Sequence, residues 1–157
     1  MKSPLKEIPA GLRQLIETEN TLALATVDAQ GQPAIAPLFY IADERLHLYW
    51  LSARTARHSR HLRAHPETEL AVFHSTTDWR AIRGAQCRGT VAVVTGARRQ
   101  ALLARYAERF GLGPTFQAAI RRSSLYEFRP AWIRYVDNSA GFGNKIELKL
   151  GADAHSL

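Results

Sequence analysis

The chain has 157 residues, 46% of them apolar and 22% charged, and a formal net charge of +7. That length buries a sizeable core without metals or cross-links, the composition excludes a disordered chain, and a single cysteine, Cys87, excludes an intrachain disulfide and fits a reducing compartment. Residues 1–10 lack the apolar stretch of a secretory signal, and no apolar run approaches the ~18 residues of a membrane span, so one cytoplasmic domain over 1–157 is expected.

Leu5, Ile8, Leu12, Leu15 and Ile16 recur at helical spacing, which predicts an amphipathic first helix over 1–20. Two short apolar runs, 21–27 and 33–41, flank the turn residues 28–32 and read as a hairpin. Pro33 and Pro37 donate no ladder bonds, so the second strand is expected at an edge or bulge. Leu46, Leu48 and Trp50 alternate with His47 and Tyr49, which predicts a third strand. A helix is expected over 55–65, stopped by Pro66, and a fourth strand over 69–74. The long segment 81–95 contains Gly84 and Gly89, the pattern of a bent strand or of two strands around a bulge.

A helical insert over 97–122 follows, its first helix carrying Leu102, Leu103, Tyr106 and Phe110 on one stripe. Two strands, 125–128 and 133–136, are expected across a turn at Arg129 and Pro130, with a last strand from Ile146 to Leu150. Consecutive antiparallel strands with few long crossovers point to a mainly β, α+β fold. The expected architecture is an antiparallel barrel of six to eight strands with flanking helices.

Charge and motifs narrow the function. From residue 80 to 134 there are eleven arginines against two acids, Glu108 and Glu127. Such a surface reads as a solvated basic face, a phosphate-binding face or a nucleic-acid face; arginine favours phosphate through its bidentate fork. The corner Ser52-Ala53-Arg54-Thr55-Ala56-Arg57-His58 joins a strand end to a helix start, where unpaired N–H groups favour an anion. Ser52 or Thr55 can donate to a phosphate oxygen there, and Arg57 can pair with it; equally, Thr55 serves only as a helix cap. His58, His61 and His65 share a helix face, but no carboxylate or thiol joins them at metal-ligand spacing, and no metal site is expected.

Trp79 beside Arg80 suits either stacking on a flat ring or anchoring in the core. The tail 137–145, DNSAGFGNK, sets Phe142 between two glycines, either as a plain loop or as an aromatic cap over a ligand. No nucleophile elbow, Walker loop, dinucleotide fingerprint or zinc-protease motif occurs, and no catalytic residue is assigned.

The element order and the 52–62 corner resemble the pyridoxamine 5′-phosphate oxidase-like, FMN-binding split β-barrels. Three segments are similar to the YhbP-like family within that group: Thr55 to His58, Ile82 to Gln86 with Gly89 behind, and the tail from Asp137 to Lys145. The resemblance implies a homodimeric FMN protein with its cofactor shared at the dimer interface, and a small-molecule oxidoreductase activity. It places Ser52, Thr55, Arg57 and His58 on the phosphate and the backbone of Ala36, Pro37 and Leu38 along the flavin ring. Arg83 and Trp79 would reach across from the partner, and Asn138, Phe142 and Lys145 would close over the ring. His58 stands where the superfamily carries a lysine, so its phosphate contact would depend on pH. The alternative is a non-enzymatic protein of the same fold that holds haem or another ligand, or has lost flavin. Nucleic acid ranks last, because aromatic and basic residues do not interleave.

Overall fold

The protein is described from a computed structural model covering residues 8–151. Helix α1 (Ala10–Thr18) buries Leu12, Leu15 and Ile16, as its periodicity requires; Leu5, the first residue of the predicted stripe, lies outside the described residues. Strands β1 (Thr21–Val27) and β2 (Pro33–Phe39) form the hairpin. They are followed by β3 (Ile41–Ala42), β4 (Leu48–Ala53), α2 (Arg57–Ala64), β5 (Glu67–Phe73) and β6 (Arg83–Val94). Helices α3 (Gly96–Phe110) and α4 (Gln117–Arg122) form the insert, and β7 (Ser123–Asp137) and β8 (Lys145–Lys149) complete the sheet.

The strands make one antiparallel sheet in the order β2-β1-β5-β6-β7-β4-β3, with β8 added beside β7. The sheet curls so that β2 approaches β4. The end strands β2 and β3 are not hydrogen-bonded to each other, which makes the barrel split. The interior is filled by Leu22, Leu24, Leu48, Trp50, Leu70, Val72, Phe128 and Ile133, with α1 packed on this core. Cys87 is fully buried there, and burial pushes its thiol up to about 12, which makes it a packing residue.

Two sequence expectations change. The predicted turn at Arg129 and Pro130 is absent: β7 is one continuous 15-residue strand. Gly89 of β6 pairs with Pro130 while Arg88 pairs with Trp132, so Ala131 is an extra residue and forms a bulge. A bulge is where a strand accommodates proline, whose missing N–H would otherwise break the ladder. Residues 46–50 keep the alternation, with Leu46, Leu48 and Trp50 in the barrel core and Tyr49 in a second cluster, but all five are buried and the strand itself begins at Leu48. One face of β4 meets the barrel core. The other is covered by α3 through a second cluster of Ile41, Tyr49, Val94, Leu102, Tyr106 and Leu125.

Candidate functional site

The β4–α2 corner is assembled by ordinary local chemistry. Ser52, paired with Ser124 of β7, is the last but one residue of β4, and α2 begins five residues later at Arg57. The residue capping α2 is Ala56 rather than Thr55, with no side-chain cap bond and no acid in the first turn. The helix therefore offers its first N–H groups and positive dipole end without an anionic complement from its own cap or first turn. Thr55 is exposed, and its carbonyl accepts from Arg60 at 2.7 Å. Ser52 Oγ lies 2.6 Å from His58 Nε2. Burial first, then the neighbouring His61 and Arg57, push the His58 imidazole below its usual value, so it is neutral at pH 7. Arg57 is exposed and forms no ion pair with the described residues.

Ala36, Pro37 and Leu38 lie on β2, an edge strand with a free hydrogen-bonding side. Ala36 and Leu38 pair with Leu24 and Leu22 and face inward, while Pro37 faces out. Helix α2 packs against β1 and β2, and His61 Nδ1 is 3.0 Å from Thr26 Oγ1 at the far end of β1. The fold thus brings Ser52, Thr55, Arg57 and His58 together at the split, with the edge strand carrying Ala36–Leu38 alongside.

The remaining predicted residues form a second cluster. Trp79 sits on a short 3-10 turn before β6, edge-on to Phe142 with ring centroids 5.8 Å apart. Asn138 ties the two segments: its amide donates to the Trp79 carbonyl at 2.8 Å and its oxygen accepts from Gly143 N at 3.0 Å. Gly143, at φ 70°, holds the left-handed turn that leaves Phe142 83% exposed. Asn138 is therefore a buried clamp, and Phe142 is the group presented to solvent. Arg83 opens β6 opposite Asp137, and exposed Lys145 opens β8 opposite Val136.

The two clusters occupy opposite ends of the sheet. Thr26, beside α2, is near the end of β1, whereas the Trp79–Phe142 cluster adjoins Phe73 and Arg83, whose strands align with the start of β1. Between them the outer sheet face carries Ala23, Ala25 and Ala71 with exposed Ile35 (69%) and Phe73 (57%), next to the Glu69–Arg88 ion pair and Gln86 on the same face.

Sequence reasoning missed one polar constellation. Glu127 of β7 is 1% exposed and accepts from Arg98, from Arg129 at 2.9 Å and from Tyr49 at 3.0 Å, with His47 Nδ1 at 3.3 Å. Asp43 joins through Tyr49 at 2.9 Å and His47 at 3.4 Å. Burial alone would raise the Glu127 carboxyl, but bonds from His47, Arg98, Arg129 and Tyr49 outweigh it and hold the group ionised far below its usual range. The available signal was a lone acid inside an apolar strand, with no other acid between Glu108 and Asp137. No cluster of three histidine, cysteine or acidic residues suited to a metal occurs among the described residues.

Known proteins match along most of the chain. The family profile described as "Pyridoxamine 5'-phosphate oxidase" matches residues 8–137. A UPF0306 protein of Yersinia pseudotuberculosis serotype O:3 (strain YPIII) is 29% identical over 112 residues, which are 71% of this chain and 73% of that protein. Among solved structures, a heme binding protein from Mycobacterium smegmatis superposes with a TM-score of 0.73 at 19% identity, over 99% of this chain and 60% of that one. HutZ, the heme storage protein from Vibrio cholerae, superposes at 0.67 with 22% identity, over 76% and 87%.

Proposed function

The chain belongs to the pyridoxamine 5′-phosphate oxidase family, and on that premise we propose that it is a cytoplasmic, homodimeric FMN-binding oxidoreductase of a small molecule. The observation that carries the reading is the corner itself: an exposed Arg57 without an ion-pair partner among the described residues, on a helix N-terminus with neither side-chain cap nor acid in its first turn, beside the Ser52 hydroxyl. A phosphate monoester supplies the missing anion. Ser52, Thr55, Arg57 and the N–H groups of α2 hold it, and the β2 edge at Ala36, Pro37 and Leu38 offers backbone groups to the flavin ring. FMN, when bound, supplies the redox chemistry; the protein supplies position, charge and exclusion of water.

A second copy completes the site in this reading. One chain keeps its phosphate corner and its Trp79–Phe142 cap at opposite ends of the sheet. Pairing two chains across this outer face, with Ile35, Phe73 and the three alanines as its apolar part, would set the cap of one near the corner of the other. Trp79, Arg83, Phe142 and Lys145 then serve the partner's flavin, with Asn138 holding the cap in shape.

Arg57→Ala weakens FMN binding about ten- to hundredfold, the loss of one charge-assisted bond of about 1.5–3 kcal/mol. Quenching of FMN fluorescence on titration measures it, and an unchanged Kd removes the phosphate role of Arg57. His58 adds a pH signature. Its imidazole titrates below the usual value, so it gains charge only as pH falls. The affinity ratio of wild type to His58→Gln stays near one at about pH 8 and rises towards about pH 5; a flat ratio removes His58 from the site.

A second reading keeps the fold and exchanges the ligand for haem, which the M. smegmatis and V. cholerae neighbours are described as binding or storing. His65 and His74 are exposed histidines, at opposite ends of β5, with His74 Nδ1 2.9 Å from Glu19. Absorption spectra separate the two: flavin bands on adding FMN support the first reading, and a Soret band on adding haem with no response to FMN replaces it with the second.

A further inference from the structure

Beside the phosphate corner lies a field of arginines that one phosphate group does not explain. Arg54 Nη2 donates to the Arg121 carbonyl at 3.1 Å, Arg63 Nη1 to the Arg54 carbonyl at 2.9 Å, and Arg99 Nη2 to the carbonyls of Ile120 and Ser123 at 3.3 Å. Arg121 and Arg122 end α4, and the Arg122 carbonyl accepts from Arg54 N at 3.5 Å. These bonds draw the loop before α2, the start of α3 and the end of α4 together. The three stretches that meet there, 53–66, 95–107 and 111–126, contain no acidic residue. None of the five arginines forms an ion pair among the described residues.

Capping accounts for part of this arrangement. Arg54 and Arg99 satisfy carbonyls at the C-terminal end of α4, where positive charge complements the dipole. A helix of six residues presents at most about half a negative charge there. Five guanidiniums exceed it several times over, and the surplus is left without an internal counter-charge. Each guanidinium carries five N–H donors; Arg54 and Arg63 each spend one group on the carbonyls named and Arg99 spends one on two of them, while Arg121 and Arg122 take part in these bonds through their backbone carbonyls only. Arg121 and Arg122 are fully on the surface side of the cluster, exposed and next to one another.

We propose that Arg54, Arg63, Arg99, Arg121 and Arg122 form a second anionic subsite that binds a diphosphate group, adjoining the Ser52–His58 corner and distinct from it. A diphosphate offers several acceptor oxygens in the spacing that planar guanidinium forks grip bidentately, and it carries more charge than the single phosphate the corner can neutralise. The five arginines come from one junction of three short segments, tied together by the carbonyl bonds of Arg54, Arg63 and Arg99, which fits a small ligand better than a strand of nucleic acid. A dinucleotide and a free nucleoside diphosphate share this chemistry. The assignment stands whether or not the corner holds FMN.

Calorimetric titration of the full chain with inorganic phosphate, inorganic pyrophosphate, ADP, FMN and FAD tests it. Pyrophosphate and ADP are expected to bind at least tenfold more tightly than phosphate. Arg121→Gln with Arg122→Gln removes at least tenfold of that affinity and leaves FMN affinity unchanged; Arg57→Ala does the reverse. Arg121→Lys with Arg122→Lys retains part of the pyrophosphate affinity, and a circular dichroism melt matching wild type shows the glutamine variant folded. FAD binding more tightly than FMN identifies the dinucleotide source, and ADP binding with FAD no better than FMN identifies the free nucleotide. Pyrophosphate binding no tighter than phosphate, or unaltered by the glutamine pair, overturns the subsite. So does a single-stranded RNA oligonucleotide that binds where pyrophosphate does not. Loss of FMN binding alone refutes the flavin reading and leaves the subsite in place.

Discussion

Glu127→Ala lowers the melting temperature by about 6–12 °C, the equivalent of about 3 kcal/mol at 2–4 °C per kcal/mol for a chain of this size. Glu127 joins three elements: Arg98 from the start of α3, Tyr49 and His47 at β4, and Arg129 beside it on β7. Removing it takes a charged partner from His47, which is 4% exposed, and from the buried Tyr49 hydroxyl, leaving Asp43 as the acid that both still reach. The effect stays at the low end for a broken buried pair because the Arg98 and Arg129 side chains, 48% and 39% exposed, recover water.

The pH dependence has a definite sign. The folded Glu127 carboxyl is held below its unfolded value, so its contribution is complete above about pH 5 and is lost on acidification. His47 runs the other way. Burial lowers it, but Asp43 and Glu127 outweigh burial and raise it; its contribution is complete below the unfolded value of about 6.5 and fades as pH rises through the higher folded value. Thermal melts from acid to neutral pH should show a stability maximum in wild type between these limits and a flatter curve in Glu127→Ala. Equal midpoints and equal slopes for the two proteins would show that the network does not hold α3 on the barrel.

Gly89→Ala is expected to cost about 3 kcal/mol, the upper range for overpacking, or to leave the protein insoluble. An added Cβ would stand 2.8 Å from the Arg129 carbonyl carbon and 2.9 Å from Phe128 Cζ, and closer still to the Arg129 carbonyl oxygen. The obstruction is backbone at the bulge, where a side chain cannot rotate away. Gly84 on the same strand is the control. Its Cβ would meet Phe73 Cβ at 3.6 Å and the Val72 carbonyl at 3.7 Å, ordinary contacts, so Gly84→Ala is neutral or stabilising by up to about 1 kcal/mol as strand entropy is reduced. Urea denaturation of both variants checks the contrast; a Gly89→Ala midpoint equal to that of Gly84→Ala would mean that the bulge yields freely.

The features readable from sequence were the local ones. The hairpin at 28–32, the breaks at Pro66 and Gly111, the stripe of α3 and the strand-to-helix corner at 52–58 each depend on residues within a turn or two of one another. Pro33 and Pro37 marked β2 as an edge, and β2 is one. Pro130 misled because the same residue that ends most strands is accommodated at a bulge, and the bulge exists only in the pairing with Gly89, some forty residues earlier. Thr55 misled as a cap because the chain turns one residue later, at Ala56. Residues 46–50 alternate as read, but local pattern does not reveal that α3 covers the second face.

The sequence by itself determined the kind of protein: a mainly antiparallel barrel, an amphipathic first helix, a helical insert, an arginine-rich face, and a corner and a tail whose motifs resemble one family. Those follow from periodicity, turn chemistry and short patterns, which act over a few residues. The tertiary structure alone decided which groups share space. It buried Glu127 among Arg98, Arg129, Tyr49 and His47, used Asn138 as a clamp, set the 52–58 corner and the Phe142 loop at opposite ends of the sheet, and gathered Arg54, Arg63, Arg99, Arg121 and Arg122 from three segments. Charge and hydrogen bonding act over a few ångströms in space, between residues that can lie eighty positions apart in the chain, so only the register of the strands and the docking of the helices could bring them into reach.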